Sequence, residues 1–308
     1  LTTVQDLGRE GFGPMGVSAC GAADPVSLRI GNKLVGNPET AAELEMTLLG
    51  GRFLFPERAI AALTGSDFGA MLDGVPVKSW TSFEIRAGQI LSLGPSGSGA
   101  RGYLCVRGGI VVQPFLGSAS THVLSGLGGL SGRALKKGDV LNLNVDPIAP
   151  SPASFRQVAL APHALKLLSR VGVLRVTEGP QSDWFSESSQ NTFYNSTLRV
   201  AEDSDRMGLR LEGAEIKGNT NRQMITEGAP LGAIQIPESG LPIILFVDQQ
   251  TTGGYPKIAN VISADMSRVG QLRPRDEIRF EKVTRETARS LFRELEELLA
   301  SPKLLQQA

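Results

Sequence analysis

The chain has 308 residues, with 31 basic and 31 acidic side chains and a formal net charge of zero. That balance gives no electrostatic footprint for nucleic acid or an anionic membrane surface, and no run of about 18 apolar residues exists to span a bilayer. At 41% hydrophobic and 20% charged residues, the composition is that of a soluble globular protein with one large or two medium domains. Cys20 and Cys105 form no CxxC pattern, so they are expected to be reduced, in a cytoplasmic protein. Leu1 is not a methionine, so either a short N-terminal stretch precedes it or a signal peptide has been removed. The two histidines, His122 and His163, have no nearby ligand partners. No metal site is therefore expected, and acid–base chemistry falls to Asp, Glu, Lys or Tyr. Glycine, at 36 residues, is well above its usual share of ~7%.

In chain order, Asp24-Pro25 reads as an N-cap with proline at the first helical position. Val26, Ile30 and Leu34 then share one helical face, and Gly36-Asn37 ends the helix. Short apolar runs follow at 52–55, 59–63, 70–72, 82–86, 89–93 and 103–107, with Asp73-Gly74 as a hairpin signal among them. A further strand is expected at 140–143. Short strands at this spacing, separated by turn residues, predict a β-barrel or sandwich. Residues 146–165 begin with three closely spaced prolines and read as a linker. They divide an N-terminal domain at 1–145 from a C-terminal domain at 166–308. Strands resume at 173–176, 197–201, 232–236, 243–247 and 277–280. Residues 284–300 form an amphipathic helix, expected to pack its apolar stripe on the second domain or to bind a partner.

Several motifs could carry chemistry. Residues 97–102 match GxGxxG, but they lie between strand-like runs and open no helix, so they read as a hairpin loop. The glycine-rich loop 126–133 is either a structural turn or an anion nest beside Arg133. Asn195-Ser196-Thr197 fits a glycosylation sequon that an intracellular chain would not use. Three polar stretches stand out at 3–9, 203–211 and 248–257. The last is the most informative. An apolar strand runs into a loop where carboxylate, amide, hydroxyl, phenol and ammonium groups fall within ten residues, and Gly253-Gly254 lets backbone approach a ligand closely. The alternative is an ordinary turn held by its own side chains. Arg206 and Arg210 could clamp a carboxylate or phosphate, or form structural ion pairs.

Together these motifs resemble the allophanate hydrolase subunit 2 family, also called the KipA-like or biotin-dependent carboxyltransferase subunit family. The resemblance rests on residues 3–9, Gly16-Val17 with 21–24, Asn32 with 34–37, Leu44-Glu45, 101–104 with 108–110, 116–121, Gly132-Arg133 and Gly138-Asp139. In the second half it rests on 179–181, 204–208, 232–237 and 248–258. Two departures are visible: Pro274-Arg275-Asp276 where the family often has Pro-Gly-Asp, and Cys20 where it often has Ser.

The resemblance implies a mainly β chain with two cyclophilin-like β-barrel domains, a few short helices and a C-terminal helix. It implies partners, a KipI-like (allophanate hydrolase subunit 1) protein and a LamB/YcsF-like protein, and a small amide substrate. Stand-alone bacterial members suggest ATP-dependent opening of 5-oxo-L-proline to L-glutamate, with ATP used by the complex. A second branch moves CO2 from carboxybiotin to urea; the biotin would then come on another protein, since this chain has no Met-Lys-Met. A third reading is a non-catalytic antagonist of a KipI-like kinase inhibitor. On motif position and residue type, Asp248, Tyr255 and Lys257 are the catalytic candidates. Gln249, Gln250, Thr251, Thr252, Gly253, Gly254, Ser204, Arg206, Met207, Arg210 and Arg133 are the substrate-binding candidates. Gln5, Asp6, Arg9 and Asp24 are placed in a supporting role, for which plain structure is an equal alternative.

Overall fold

The computed structural model describes residues 1–144, 155–168, 172–218 and 224–308. Residues 1–9, 20–168 and 299–308 cluster into one compact unit, and residues 10–19 and 169–298 into a second. The proline-rich part of the expected linker, 146–154, lies outside the described residues. Its remainder carries the strand Val158–Leu160 and the start of the helix Pro162–Leu168, both clustered with the first unit.

The first unit holds a five-stranded antiparallel sheet in the order Thr2–Gln5, Glu43–Thr47, Arg101–Val106, Ala59–Gly65 and Ser82–Ile85. A four-stranded sheet orders Arg52–Leu54, Ile90–Ser92, Met71–Leu72 and Val75–Pro76. One core joins them: Val4, Leu44, Leu63, Ile85 and Leu104 from the first meet Leu91, Phe53 and Leu72 from the second. The strand Arg101–Val106 is buried along its whole length, as a strand covered on both faces must be. The expected hairpin forms at Asp73-Gly74, with φ of +47° and +84°.

The helix Pro25–Val35 forms as its sequence predicts. Asp24 accepts the Ser27 amide at 3.0 Å, and Gly36 ends the helix with φ +82°. Val26, Ile30 and Leu34 are all buried. Behind it sits a buried polar network. The Tyr103 hydroxyl donates to Glu45 Oε2 at 2.7 Å and accepts from the Asp24 amide at 2.8 Å. Burial, then the nearby Glu45 and Asp24 charges, push the Tyr103 phenol well up.

The second unit is a closed seven-stranded barrel. Its order is Val173–Glu178, Lys257–Val261, Ala233–Gln235, Ile243–Leu245, Gly208–Glu212, Leu198–Val200 and Glu277–Lys282. Closure is made by parallel pairing of Val173–Glu178 with Glu277–Lys282, while the other pairs are antiparallel. Leu174, Val176, Leu209, Ile234, Ile244, Ile258 and Phe280 are buried. The helix Glu187–Asn195 is capped by Ser186 and stacks Phe193 on Phe280 at 4.6 Å.

The C-terminal helix runs over Arg285–Ala300, but only Leu299 is fully buried and Phe292 is 42% exposed. The chain then forms the strand Leu305–Gln307, which pairs antiparallel with Val158–Leu160. This pairing is why residues 299–308 cluster with the first unit, although the sequence pattern assigns them to the second.

Candidate functional site

The pairing of the barrel strands Ala233–Gln235 and Lys257–Val261 contains one irregularity. The register shifts between Ile234 and Gln235, so Gln235 lies opposite Lys257 while Ile234 lies opposite Ala259. The extra residue is Ile258, on the strand Lys257–Val261, and a bulge there changes which residues face each other across the pair. Gln235 is 2% exposed, and its Nε2 is buried without a hydrogen-bond partner. It forms part of the wall of a groove of about 620 Å³ in the second unit, together with Gln250, Tyr255, Met207 and Arg210.

The loop that follows the apolar strand supports this groove from beneath and along its rim. Asp248 is buried and bonds Arg206 through two atom pairs, Nε to Oδ2 at 2.8 Å and Nη2 to Oδ1 at 3.1 Å. The expected clamp and the expected base are thus engaged with each other, an arrangement that fixes the loop. Gln249 donates to the Ala229 carbonyl at 2.9 Å, and the Thr251 carbonyl accepts the Ala229 amide at 2.9 Å. Thr252 and Gly253 form a two-residue strand against Glu227 and Gly228. Gly253 does serve close approach, but to Gln235: a Cβ there would lie 2.6 Å from Gln235 Nε2 and 3.1 Å from Gln250 Nε2. At Gly254 a Cβ would make only ordinary contact with Thr226, 3.7 Å away. Tyr255 is 45% exposed on the groove.

Lys257 is the most deeply placed of the three catalytic candidates, at 1% exposure. Its Nζ lies 2.7 Å from Glu227 Oε1, forming an ion pair. Gln181 donates to the same Glu227 oxygen at 2.8 Å, and its Oε1 accepts the Lys257 backbone amide at 3.1 Å. Lys257 and then Gln181 hold the Glu227 carboxyl below its usual range. Across the groove, Arg210 lies 3.1 Å from Asp203 with both side chains more than half exposed, a pairing weak enough for a ligand to compete with. Ser204 bonds the backbone of Arg210 and holds its turn.

The remaining candidates belong to the first unit and are bonded within it. Arg133 makes a forked pair with Asp139, at 2.7 and 2.9 Å. The glycine loop before it is a structural turn: at Gly129 (φ +52°) a Cβ would lie 1.8 Å from Thr121 Oγ1. Gln5 donates to Thr3 Oγ1 and the Thr121 carbonyl, and Asp6 accepts from Ser118, Ser120 and the Ala119 amide. Arg9 donates to the Ser120 carbonyl at 2.6 Å and covers the Phe115 ring. These three residues tie the loop 115–121 to the first strand, and Asp24 caps its helix. His122 Nδ1 accepts the Ser125 amide. No group of three or more His, Cys, Asp or Glu fit to hold a metal occurs among the described residues.

Sequence reasoning misses Gln235, Glu227 and Gln181. Gln181 and Gln235 lie inside motifs that carry the family resemblance, but nothing local marks a glutamine as unpartnered. Glu227 carries no signal, because its role depends on a strand pairing with Gly253, 26 residues on.

The chain is mainly β, with a polar groove in a closed seven-stranded barrel, and comparison with known proteins gives the family. Residues 15–282 match the family model described as carboxyltransferase domain, subdomain A and B. The chain therefore belongs to the carboxyltransferase domain family. It is 38% identical over 294 residues to the C subunit of 5-oxoprolinase from Haemophilus influenzae, covering 96% of this chain and 92% of that protein. The corresponding Escherichia coli protein is 42% identical over 273 residues, covering 88% and 84%. Among solved structures, K. lactis urea carboxylase matches with a TM-score of 0.90 at 32% identity, over 100% of this chain and 29% of that one. Among the described residues, no helix is long and apolar enough to cross a membrane.

Proposed function

We propose that this chain is the C subunit of a cytoplasmic ATP-dependent 5-oxoprolinase, opening 5-oxo-L-proline to L-glutamate together with a KipI-like and a LamB/YcsF-like subunit. The observation that carries this reading is coverage. The two 5-oxoprolinase relatives correspond to the chain over 92% and 84% of their own lengths, whereas a urea amidolyase of Lachancea kluyveri matches over 17% of its length.

The groove suits an amide substrate with a carboxylate. Arg210 offers a cation to the carboxylate, Tyr255 and Gln250 offer donors at the rim, and the buried Gln235 amide still has an unused donor. ATP, when bound to the complex, supplies the phosphoryl group that makes a lactam carbonyl attackable by water. The chain's own contribution is to orient the lactam and to stabilise charge developing at its oxygen. Lys257 lies one strand position from this groove, restrained by Glu227.

A second reading, CO2 transfer from carboxybiotin to urea, is favoured by the match to K. lactis urea carboxylase over the whole of this chain. Biotin would then arrive on another protein. The test is reconstitution: the chain is purified with both partner subunits, and 5-oxoproline- and urea-dependent ATP hydrolysis are measured with and without it. Activity with 5-oxoproline that requires this chain supports the first reading. Activity with urea and a biotinylated carrier only, or binding of the KipI-like protein with neither reaction, overturns it.

A further inference from the structure

We infer that Gln235 is the substrate-recognition residue of the barrel groove and that it reads the cis-amide edge of a cyclic amide. The inference rests on the proposed function and names the recognition element of that same groove.

A folded chain rarely buries a carboxamide donor and leaves it unpaired, since the group loses its water without gaining a partner. Gln235 Nε2 is in that condition at 2% residue exposure, on a residue that forms part of the groove wall. The bulge at Ile258 on the neighbouring strand sets Gln235 opposite Lys257. Gly253 leaves room for it, because any side chain there would collide with the amide nitrogen at 2.6 Å. Gln250, an exposed residue of the same groove, also approaches this glycine, its Nε2 3.1 Å from where a Cβ would stand. In the inferred complex the Gln250 side chain moves aside as the ligand reaches the amide.

A primary carboxamide presents one N–H and one C=O side by side in a plane. Its complement is a group with C=O and N–H on one edge. Open-chain trans amides lack that edge, whereas the ring forces it in a lactam, and the ureido ring of biotin has it too. The shared chemistry is a cis-amide edge bound by two parallel hydrogen bonds. Arg210, on the same groove, distinguishes the two sources, because a free carboxylate next to the ring is present in 5-oxoproline and absent from biotin attached to a carrier.

The test titrates the purified full chain with 2-pyrrolidinone, N-methyl-2-pyrrolidinone, 5-oxoproline and biotin amide, using calorimetry or ligand-observed NMR. Wild-type protein should bind 2-pyrrolidinone at least about tenfold more tightly than its N-methyl analogue, which lacks the N–H; tenfold corresponds to about 1.4 kcal/mol. Gln235→Met should abolish that preference while leaving the unfolding midpoint unchanged or raised, because an unpaired buried donor has been removed. A role in folding alone would lower the midpoint instead. Arg210→Ala should weaken 5-oxoproline and spare biotin amide; tighter binding of biotin amide than of 5-oxoproline by the wild type would identify the ureido ring as the source. Equal binding of the two pyrrolidinones by the wild type overturns the inference, and that comparison needs no variant to fold. Undiminished lactam preference in Gln235→Met also overturns it. If the reconstituted complex hydrolyses 5-oxoproline with an unchanged KM in Gln235→Met, the inference falls and the 5-oxoprolinase reading stands. If the complex is inactive on 5-oxoproline yet lactam binding depends on Gln235, the inference stands and that reading falls.

Discussion

Asp248 shows how residue type alone can suggest a base where the fold has built a strut. Its two oxygens are bonded by Arg206 in a buried pair, with side chains 7% and 9% exposed. Removing the carboxylate takes this ion-pair partner from a buried guanidinium, so Asp248→Ala should lower stability by about 3–5 kcal/mol, measured by urea denaturation. Loss of activity in that variant would therefore report on folding before chemistry. Arg275 gives a prediction of opposite sign. It occupies a left-handed backbone, φ +74°, at the position where the family often has glycine. Its ion pair with Glu202 is largely exposed. Relief of about 1–2 kcal/mol of backbone strain, less the greater freedom glycine gives the unfolded chain, should make Arg275→Gly stabilising by up to about 1 kcal/mol. A thermal melt showing a lower midpoint would refute this. The turn itself is legible from the sequence; the strain in it is not, because φ is set by the elements it joins.

At the scale of elements, alternation and glycine punctuation locate many strands of both units, including Met71–Leu72 before Asp73-Gly74, but not Val75–Pro76 after it, nor the barrel strands Gly208–Glu212 and Lys257–Val261, whose sequences read as polar stretches. Thr2–Gln5 and Glu43–Thr47 are harder to read, because Gln5, Glu43 and Glu45 occupy buried positions where pattern reasoning expects apolar residues. The two glutamates are bonded by groups far away in sequence: Glu43 accepts the Val106 amide at 2.9 Å and Glu45 accepts the Tyr103 hydroxyl at 2.7 Å. The groove is legible as a loop, 248–257, but Gln235 is not, because it comes from another strand and its register depends on a bulge at Ile258. Two glycine substitutions separate these roles. At Gly128 a Cβ would fall 2.1 Å from the Ser120 carbonyl, which is backbone and cannot turn aside. Gly128→Ala should cost at least about 1–3 kcal/mol, seen as an earlier denaturation midpoint. At Gly253 the obstacle is the end of the Gln235 side chain. Gly253→Ala should keep the fold's melting temperature and raise the KM of the reconstituted complex.

The whole molecule carries acid sensitivity written into particular pairs. Lys257 and Gln181 hold Glu227 below the usual carboxylate range, and the Arg133 pair does the same for Asp139. A carboxyl depressed in the folded state contributes stability above its unfolded pKa and loses it as pH falls through the folded value. Glu43, pushed well up by burial, works the other way and favours the fold when protonated. A Glu227→Gln, Asp139→Asn double variant should therefore be less stable than wild type at pH 7. The two should converge in denaturation midpoint as pH drops below about 4.5, the ordinary glutamate value. A constant gap across that range would show that these pairs do not carry the dependence.

The pairing of Val158–Leu160 with Leu305–Gln307 sets a timetable for folding during synthesis. Val158–Leu160 meets Thr81 through a single bridge at Ala159, and its full strand pairing is with Leu305–Gln307. Between Leu160 and Leu305 the ribosome must add 145 residues (305 − 160), roughly 7–30 s of elongation at about 5–20 residues per second. Through that interval the edge awaiting Leu305–Gln307 has open amides and carbonyls, the kind of template on which strands of other chains add. A nascent chain stalled before residue 305 should be more prone to aggregation than the released protein, and shortening the time spent translating residues 161–304 should raise soluble yield.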